Sequence, residues 1–250
     1  MQAVHESASS PGLLFYNLRH MPPPLKIAVC GASGRTGSRV AALASADPRF
    51  NLLARVGRAQ AAEFEDEAGA CSAVIDFTTP ESCVKFAAAC GRAKVPFVTG
   101  TTGLSVVQRA QVAAAARKTA IFMAPNFSRG VTMLLHLAEA ASRRLADYDA
   151  AIIETHHKAK KDAPSGTALR LAQAVTEGRR SNDAVPTASI RIGDVVGEHS
   201  LTLAGPFERL TLAHVAESRD AFAFGALEAA LWTARKKPGL YDMLDLMGLK

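Results

Sequence analysis

Two hydrophobic periods alternate along the first half of the chain. Short, largely apolar runs at residues 25–30, 50–56, 73–77, 96–99 and 120–123 have the character of strands buried on both faces, as in a parallel sheet. Between them, 38–46, 80–89 and 105–117 carry helix-forming sequence, with Pro80 early in one helix and Ser105 placed to cap another. Strands alternating with helices in this way, several ending in Gly, Thr or Asn turns, predict a Rossmann-like, doubly wound α/β sheet over 25–127. Ligands of such sheets settle in the crevice beyond the strand C-termini.

Beyond Phe127 the pattern changes. It predicts a long amphipathic helix at 131–144, a short strand at 150–153, a helix at 167–175, and strands near 189–192, 199–203 and 209–215. That order suits an α+β second domain with a mixed sheet, over 128–218. The apolar stretch at 224–234 reads as a helix, and 219–250 is expected to return to the first domain. Residues 1–24 mix Ser, Pro and Gly and end in Pro22-Pro23-Pro24. They are expected to be a disordered tail, or to precede a true start at Met21, and they lack the features of a secretory leader.

Composition narrows the partners. At 250 residues, 48% of them hydrophobic, the chain is long enough for one large domain or two ordinary ones. No apolar run approaches the roughly 20 residues of a membrane-spanning helix, so a cytoplasmic protein without a membrane partner is expected. Cys30, Cys71, Cys83 and Cys90 show no metal-type pairing and read as reduced, buried small hydrophobes; no metal is expected. The net charge of +6 admits nucleic acid or a small anion as partner. Basic residues are mostly dispersed and aromatics are few, so no stacking platform is evident and the small anion is favoured over nucleic acid.

Gly31-Ala32-Ser33-Gly34-Arg35-Thr36-Gly37 sets three glycines where the first strand meets the first helix. Glycine permits the tight turn, the approach of a pyrophosphate and close helix–sheet packing, and the helix N-terminus offers free N–H groups. Within a βαβ unit the motif points to a dinucleotide. The second strand ends in Val56-Gly57-Arg58, with no acid until Glu63. A carboxylate there would hold ribose hydroxyls; Arg58, helped by Arg35, suits a 2′-phosphate instead, so NADPH is preferred to NADH.

The window 154–168 reads Glu-Thr-His-His-Lys-Ala-Lys-Lys-Asp-Ala-Pro-Ser-Gly-Thr-Ala. Adjacent imidazoles, ammonium groups and a Pro-Ser-Gly-Thr turn feeding a helix put an acid, positive charge and backbone donors in one place, which a small polyanion requires. Each piece alone has a plainer origin: a lysine-rich loop is usually only solvated, and Ser165 suits a helix cap.

Together with the glycine turn, Asp76-Phe77-Thr78-x-Pro80, Gly100-Thr101-Thr102-Gly103 and Ala124-Pro125-Asn126-Phe127, this window makes the chain resemble the dihydrodipicolinate (4-hydroxy-tetrahydrodipicolinate) reductases, from Leu25 to about Leu246. Glu154, His156, His157, Lys160, Asp162, Pro164, Ser165, Gly166, Thr167 and Ala168 fill the family's Glu-x-His-His-x-x-Lys-x-Asp-x-Pro-Ser-Gly-Thr-Ala motif. Gly193-Asp194-Val195-Val196-Gly197-Glu198-His199 matches a second stretch. The resemblance implies hydride transfer from NADPH or NADH to a cyclic, unsaturated pyridine dicarboxylate formed by loss of water from its hydroxylated precursor, in lysine and diaminopimelate biosynthesis.

It further implies His156 as catalytic acid/base with Lys160 assisting, and His157, Gly166 and Thr167 as substrate contacts, joined by the backbone of Ser165. Gly31, Ala32, Ser33, Gly34, Arg35, Thr36, Arg58, Gly100, Thr101, Thr102, Ala124, Pro125, Asn126 and Phe127 fall where the family binds its nucleotide. A homotetramer assembled through the second domain's sheet is implied as well. Three lysines crowding His156 are expected to lower its pKa, with the incoming dicarboxylate raising it again. Glu154 is expected to orient a histidine and Asp162 to organise its loop. Asp76 at a strand end is expected to pack or to cap the next helix at least as readily as to contact ribose, while His136, His199 and His214 are left structural or unassigned.

The chain departs from the family in a shorter stretch between Val56 and Ala73, in lacking a glycine- and arginine-bearing loop before Ile190, and in Thr36, where methionine is common. Two other readings share the first domain. Another two-domain nicotinamide dehydrogenase would have no need of the His-His-x-x-Lys loop, and a non-catalytic NADP sensor could dispense with its acid and cations.

Overall fold

The computed structural model describes residues 22–250, so the expectation for the leading tail falls almost wholly outside the described residues. Five strands, β1 (Leu25–Cys30), β2 (Phe50–Val56), β3 (Ala73–Asp76), β4 (Phe97–Thr99) and β5 (Ala120–Met123), pair in parallel, and β10 (Gly239–Tyr241) adds to β5. The resulting order is β10-β5-β4-β3-β1-β2. Helices α1 (Arg35–Ala46) and α7 (Asp220–Thr233) cover one face, where Val40, Ala41, Ala226 and Leu227 meet Ile27, Val29 and Ile75. On the other face α2 (Ala61–Glu67), α3 (Pro80–Ala93) and α4 (Val106–Ala115) bury Phe64, Phe86 and Val112 against Ala28, Val74 and Phe97. Apolar cover on both sides is why these strands read as near-continuous hydrophobic runs.

The chain runs from β1 outward to β2 and then returns past β1 to β3, which creates a switch point between β1 and β3. Turn chemistry shapes the crevice above it. Gly31 has φ +78°, and a Cβ there would lie 2.4 Å from the Phe77 carbonyl oxygen; one at Gly37 would lie 2.2 Å from the Gly31 carbonyl oxygen. Only glycine lets the turn and α1 close on the strand ends in this way.

The second sheet is mixed, with order β7-β6-β8-β9. Here β6 (Asp149–His156) runs parallel to β7 (Thr187–Arg191) and antiparallel to β8 (Gly197–Ala204), which pairs antiparallel with β9 (Arg209–Ala216). Helices α5 (Arg129–Arg144) and α6 (Gly166–Arg179) pack on one face through Leu134, Ala138, Leu171 and Val175 against Ile152, Leu201 and Leu203. The opposite face is open, with Ile153, Ile190 and Val215 each about half exposed. A doubly wound parallel sheet joined to a mixed sheet is the architecture expected from the sequence.

Four elements lie outside that reading: α2, a 3₁₀ turn at Ala68–Ala70, β10 and α8 (Met243–Met247) are short, and packing rather than a long period holds them. Among the described residues no helix is long and apolar enough to cross a membrane. All four cysteines are buried and free.

Candidate active site

Strand β6 is longer than the predicted 150–153 because its alternation continues through polar residues. Ile152, Glu154 and His156 all turn onto the helix-covered face and are buried. The polar pair is tolerated there because it is saturated with partners. Glu154 Oε2 accepts a hydrogen bond from His156 Nδ1; Oε1 accepts from Arg191 Nη2 at 2.7 Å and from the Ser165 backbone N–H at 3.3 Å. Arg191 also donates to the Asp162 carbonyl at 2.7 Å. One carboxylate therefore ties together β6, β7 and the start of α6. Burial alone would raise the Glu154 carboxyl, but Arg191, Ser189 and His156 outweigh it and hold it at about 2.

His156 lies below the usual imidazole range, as expected, but for a different first reason. Burial is the largest cause; Glu154 opposes it, and Lys160 and Arg191 add to it. Lys158 and Lys161 sit exposed and are not among its leading influences. Proximity in sequence overstated the lysine cluster because the loop after β6 turns their side chains into solvent. With Nδ1 engaged by Glu154, Nε2 is the nitrogen left to serve a ligand, and a Cβ at Gly197 would approach it to 3.0 Å.

His199 stands opposite Glu154 across the β6–β8 pair, with its ring centroid 5.1 Å from that of His156. Its Nε2 meets Ser165 Oγ at 3.1 Å, and the same Oγ caps α6 by accepting from the Ala168 N–H at 3.2 Å. Heteroatoms of Glu154, His156 and His199 cluster within 4.8 Å, and the Glu154–His156 and His199–Ser165 hydrogen bonds account for that grouping. Burial, then the nearby His156, pushes the His199 pKa down to about 4.

The folded protein thus binds fewer protons at His199 than the unfolded chain between about 6.5 and about 4, so stability is lost as pH falls through that window. A displacement of this size is worth roughly 3 kcal/mol. His199→Gln should visibly flatten the decline of Tm between pH 6.5 and 4, the remainder coming from His156 and His214, which are lowered too. An unchanged slope in thermal melts would contradict this.

Of the remaining predicted residues, Ser165, Gly166 and Thr167 form α6's N-terminus. Ser165 is buried, and both its hydroxyl and its N–H are committed to the cap, His199 and Glu154, so it organises the loop. A Cβ on Gly166 would meet nothing within 4 Å, so the first turn of α6 opens onto free space. Lys160 Nζ donates to both oxygens of Asp162 at 2.9 Å. His157 Nε2 receives Arg219 Nη2 at 3.2 Å. Arg219, just before α7, carries no signal in the sequence because it stands sixty-two residues from the His157 it joins.

The two halves meet here. Asn126 Nδ2, from the loop after β5, donates to Thr167 Oγ1 at 3.4 Å, and its Oδ1 accepts from the Ser128 N–H at 2.8 Å. The loop at the end of β5 and the first turn of α6 thereby share one junction.

Above the β1/β3 switch point lies a cleft of about 540 Å³ lined by Gly31, Ser33, Gly34, Gly57, Arg58, Ala61, Phe77 and the α3 flank. No side chain caps α1, which leaves its first N–H groups free for a phosphate. An extended dinucleotide fits this glycine-floored opening. Ala32, Arg35 and Thr36 belong to the same turn but do not line the cleft. Gly100, Thr102, Pro125 and Asn126 lie at the ends of β4 and β5, while Thr101, Ala124 and Phe127 are buried.

Phe127 packs its ring on Phe122 and Phe77. The Thr101 hydroxyl donates to Asp76 at 2.7 Å and accepts from the Thr78 N–H at 3.0 Å. Asp76 takes hydroxyls from Thr78, Thr99 and Thr101 and is fully buried, so it knits the loop bases together and does not reach a ribose. Burial raises its pKa against those hydrogen bonds. Thr78, from the Asp76-Phe77-Thr78-x-Pro80 motif, also lines the cleft, as do Thr79, Ser82 and Lys85, which the sequence does not single out. The helical spacing of Ser82 and Lys85 after Pro80 was the available signal.

Residues 25–127 match the family model described as dihydrodipicolinate reductase, N-terminus, and residues 130–247 match that for its C-terminus. The chain is 39% identical over 265 residues to the 4-hydroxy-tetrahydrodipicolinate reductase of Thiobacillus denitrificans, covering 90% of this chain and 99% of that one. It is 40% identical over 264 residues to 4-hydroxy-tetrahydrodipicolinate reductase 1 of Mesorhizobium japonicum, covering 89% and 97%. A dipicolinate-bound dihydrodipicolinate reductase from Paenisporosarcina superposes with a TM-score of 0.77 at 23% identity, over 89% of this chain and 98% of that one. At that identity the likeness speaks for the fold.

Proposed function

The chain belongs to the dihydrodipicolinate reductase family, and from that premise we propose how its residues divide the work of a 4-hydroxy-tetrahydrodipicolinate reductase. It is an oxidoreductase that performs the reductase step of lysine and diaminopimelate biosynthesis. A reduced nicotinamide nucleotide, bound over the glycine turn, supplies the hydride. NADPH is the preferred form, since Arg58 lines the cleft and no carboxylate does among the described residues.

The acceptor is a small cyclic dicarboxylate. The open first turn of α6 at Gly166 and Thr167 offers backbone N–H groups to one carboxylate, with the helix dipole adding positive potential. Lys160 and His157 add positive charge and a hydrogen bond from the loop after β6. His156 delivers a proton from Nε2 to the ring while Glu154 holds Nδ1, which fixes the tautomer and supports the imidazolium. The single observation that carries this reading is the Asn126–Thr167 contact, which joins the loop at the end of β5 to the helix end expected to hold substrate.

The test is loss of reduced-nicotinamide absorbance when purified protein meets NADPH and the precursor generated in situ. Turnover supports the assignment; nucleotide binding without turnover would leave only a sensor. Gly197→Ala crowds Nε2 and should cut kcat about 10- to 100-fold while the Kd for NADPH stays unchanged, as checked by kinetics and nucleotide titration.

Self-association through the open face of the second sheet completes the proposal, as a homotetramer. Exposed Ile153, Ile190 and Val215 form an apolar strip that a second copy would cover. Ile153→Lys with Val215→Lys should reduce the mass measured by light scattering to that of a smaller assembly; an unchanged mass would exclude this face.

A further inference from the structure

Helix α3 leaves the C-terminal end of β3 at the switch point, with Thr79 as its N-cap and Pro80 in its first turn. One flank of the helix, carrying Cys83, Ala87 and Cys90, is buried in the core. The adjoining flank presents Thr79, Ser82, Lys85 and Phe86 to the cleft. The opposite wall comes from the loop after β2, with Gly57, Arg58 and Ala61, and the glycine turn forms the floor between them. In sheets of this kind the adenosine ribose lies at the end of the second strand, so both walls bracket the adenosine end of the nucleotide.

Charge makes this end specific. Among the described residues lining the cleft, Arg58 and Lys85 are the cations and no carboxylate is present. Neither takes part in an ion pair among the described residues. A ribose diol would gain little from two cations, whereas a phosphate monoester carries between one and two negative charges near neutral pH. Arg35, the neighbour that the sequence suggests as a helper, opens α1 from an exposed position and does not line the cleft.

We propose that Lys85, from α3, is the second cation for the 2′-phosphate of NADPH and, together with Arg58, determines the choice of NADPH over NADH. The inference rests on the NADPH reading above and adds to it a residue outside the nucleotide motifs. Arg58 can engage the phosphate in a fixed, forked geometry, while Lys85 contributes a mobile point charge from the facing wall.

Binding of 2′,5′-ADP and of 5′-AMP, which differ only in the 2′-phosphate, separates the possibilities by calorimetry on the full chain. Wild type should bind 2′,5′-ADP more tightly. Lys85→Ala should weaken 2′,5′-ADP about tenfold, the worth of one charge-assisted hydrogen bond, and 5′-AMP by less than about twofold. The ratio of kcat/KM for NADPH over NADH should fall by a similar factor, and Lys85→Arg should retain both. Lys85 is exposed, so folding of the variants, checked by thermal melts, is not at risk. Equal weakening of both fragments, or none, would overturn the role of Lys85 while leaving Arg58 and the NADPH preference standing. A wild type that fails to distinguish the fragments would overturn the NADPH preference and this inference together.

Discussion

Replacing His156 by glutamine should lower kcat by 10²- to 10⁴-fold, the range spanned by loss of a positioned general acid, with little change in nucleotide affinity. Glutamine keeps a polar side chain beside Glu154 but has no proton to give at ring-nitrogen basicity. The pH dependence carries a second signature. In the free protein burial, the largest influence, keeps the imidazole below its ordinary pKa, and Lys160 and Arg191 add to that. A bound dicarboxylate places negative charge beside the ring and raises it again. Catalysis requires the protonated form, so kcat/KM, which reports the free enzyme, should fall with rising pH earlier than kcat, which reports the complex. Coincident limbs, or a His156→Gln enzyme with the wild-type profile, would remove His156 from the proton's path.

Replacing Glu154 by glutamine is expected to damage both stability and catalysis. The carboxylate is fully buried and answers His156, Arg191 and the Ser165 N–H at once. Neutralising it strands Arg191, which is only 19% exposed, without its partner. Breaking a buried pair from one side costs about 3–5 kcal/mol, which denaturant unfolding would read directly. Glu154 is held at about 2 against an ordinary 4.5, so its stabilisation is complete above about 4.5 and is lost as pH falls toward 2. The variant should lack that part of the acid limb. In catalysis the imidazole loses its anionic support, so its pKa drops further and the fall of kcat with pH moves to lower values. Glu154→Asp, which keeps the charge, should recover part of both losses. A structural role alone would predict lost stability with an unmoved pH profile.

The first sheet was readable because its strands are buried on both sides and leave little doubt about type. β2 and β5 were predicted residue for residue, and the capping of α4 by Ser105 follows from its capping box with Gln108. The second sheet was harder, since β6 carries Glu154 and His156 on its covered face, and polar residues in a strand read as its end. What makes them strand residues is a set of partners contributed by β7, β8 and α6, and no local pattern announces those. Sequence proximity overstates the cation cluster for the same reason: Arg191, thirty-five residues downstream of His156, is a leading influence on it, while Lys158 and Lys161 are not. Asp76 illustrates a converse limit. Its place at a strand end left packing and ribose contact both open, and only the convergence of Thr78, Thr99 and Thr101 in three dimensions decides for packing.

The most direct measurement is a crystal structure of the complex with NADPH and pyridine-2,6-dicarboxylate, a planar stand-in for the substrate ring. The expected result is a ring carboxylate on the Gly166 and Thr167 N–H groups, His156 Nε2 within hydrogen-bonding distance of the ring, and the nicotinamide stacked beside the ring near Asn126. A dicarboxylate seated elsewhere, or a His156 that stays out of reach of the ring with both ligands bound, would contradict the assignment of this pocket as the reaction centre.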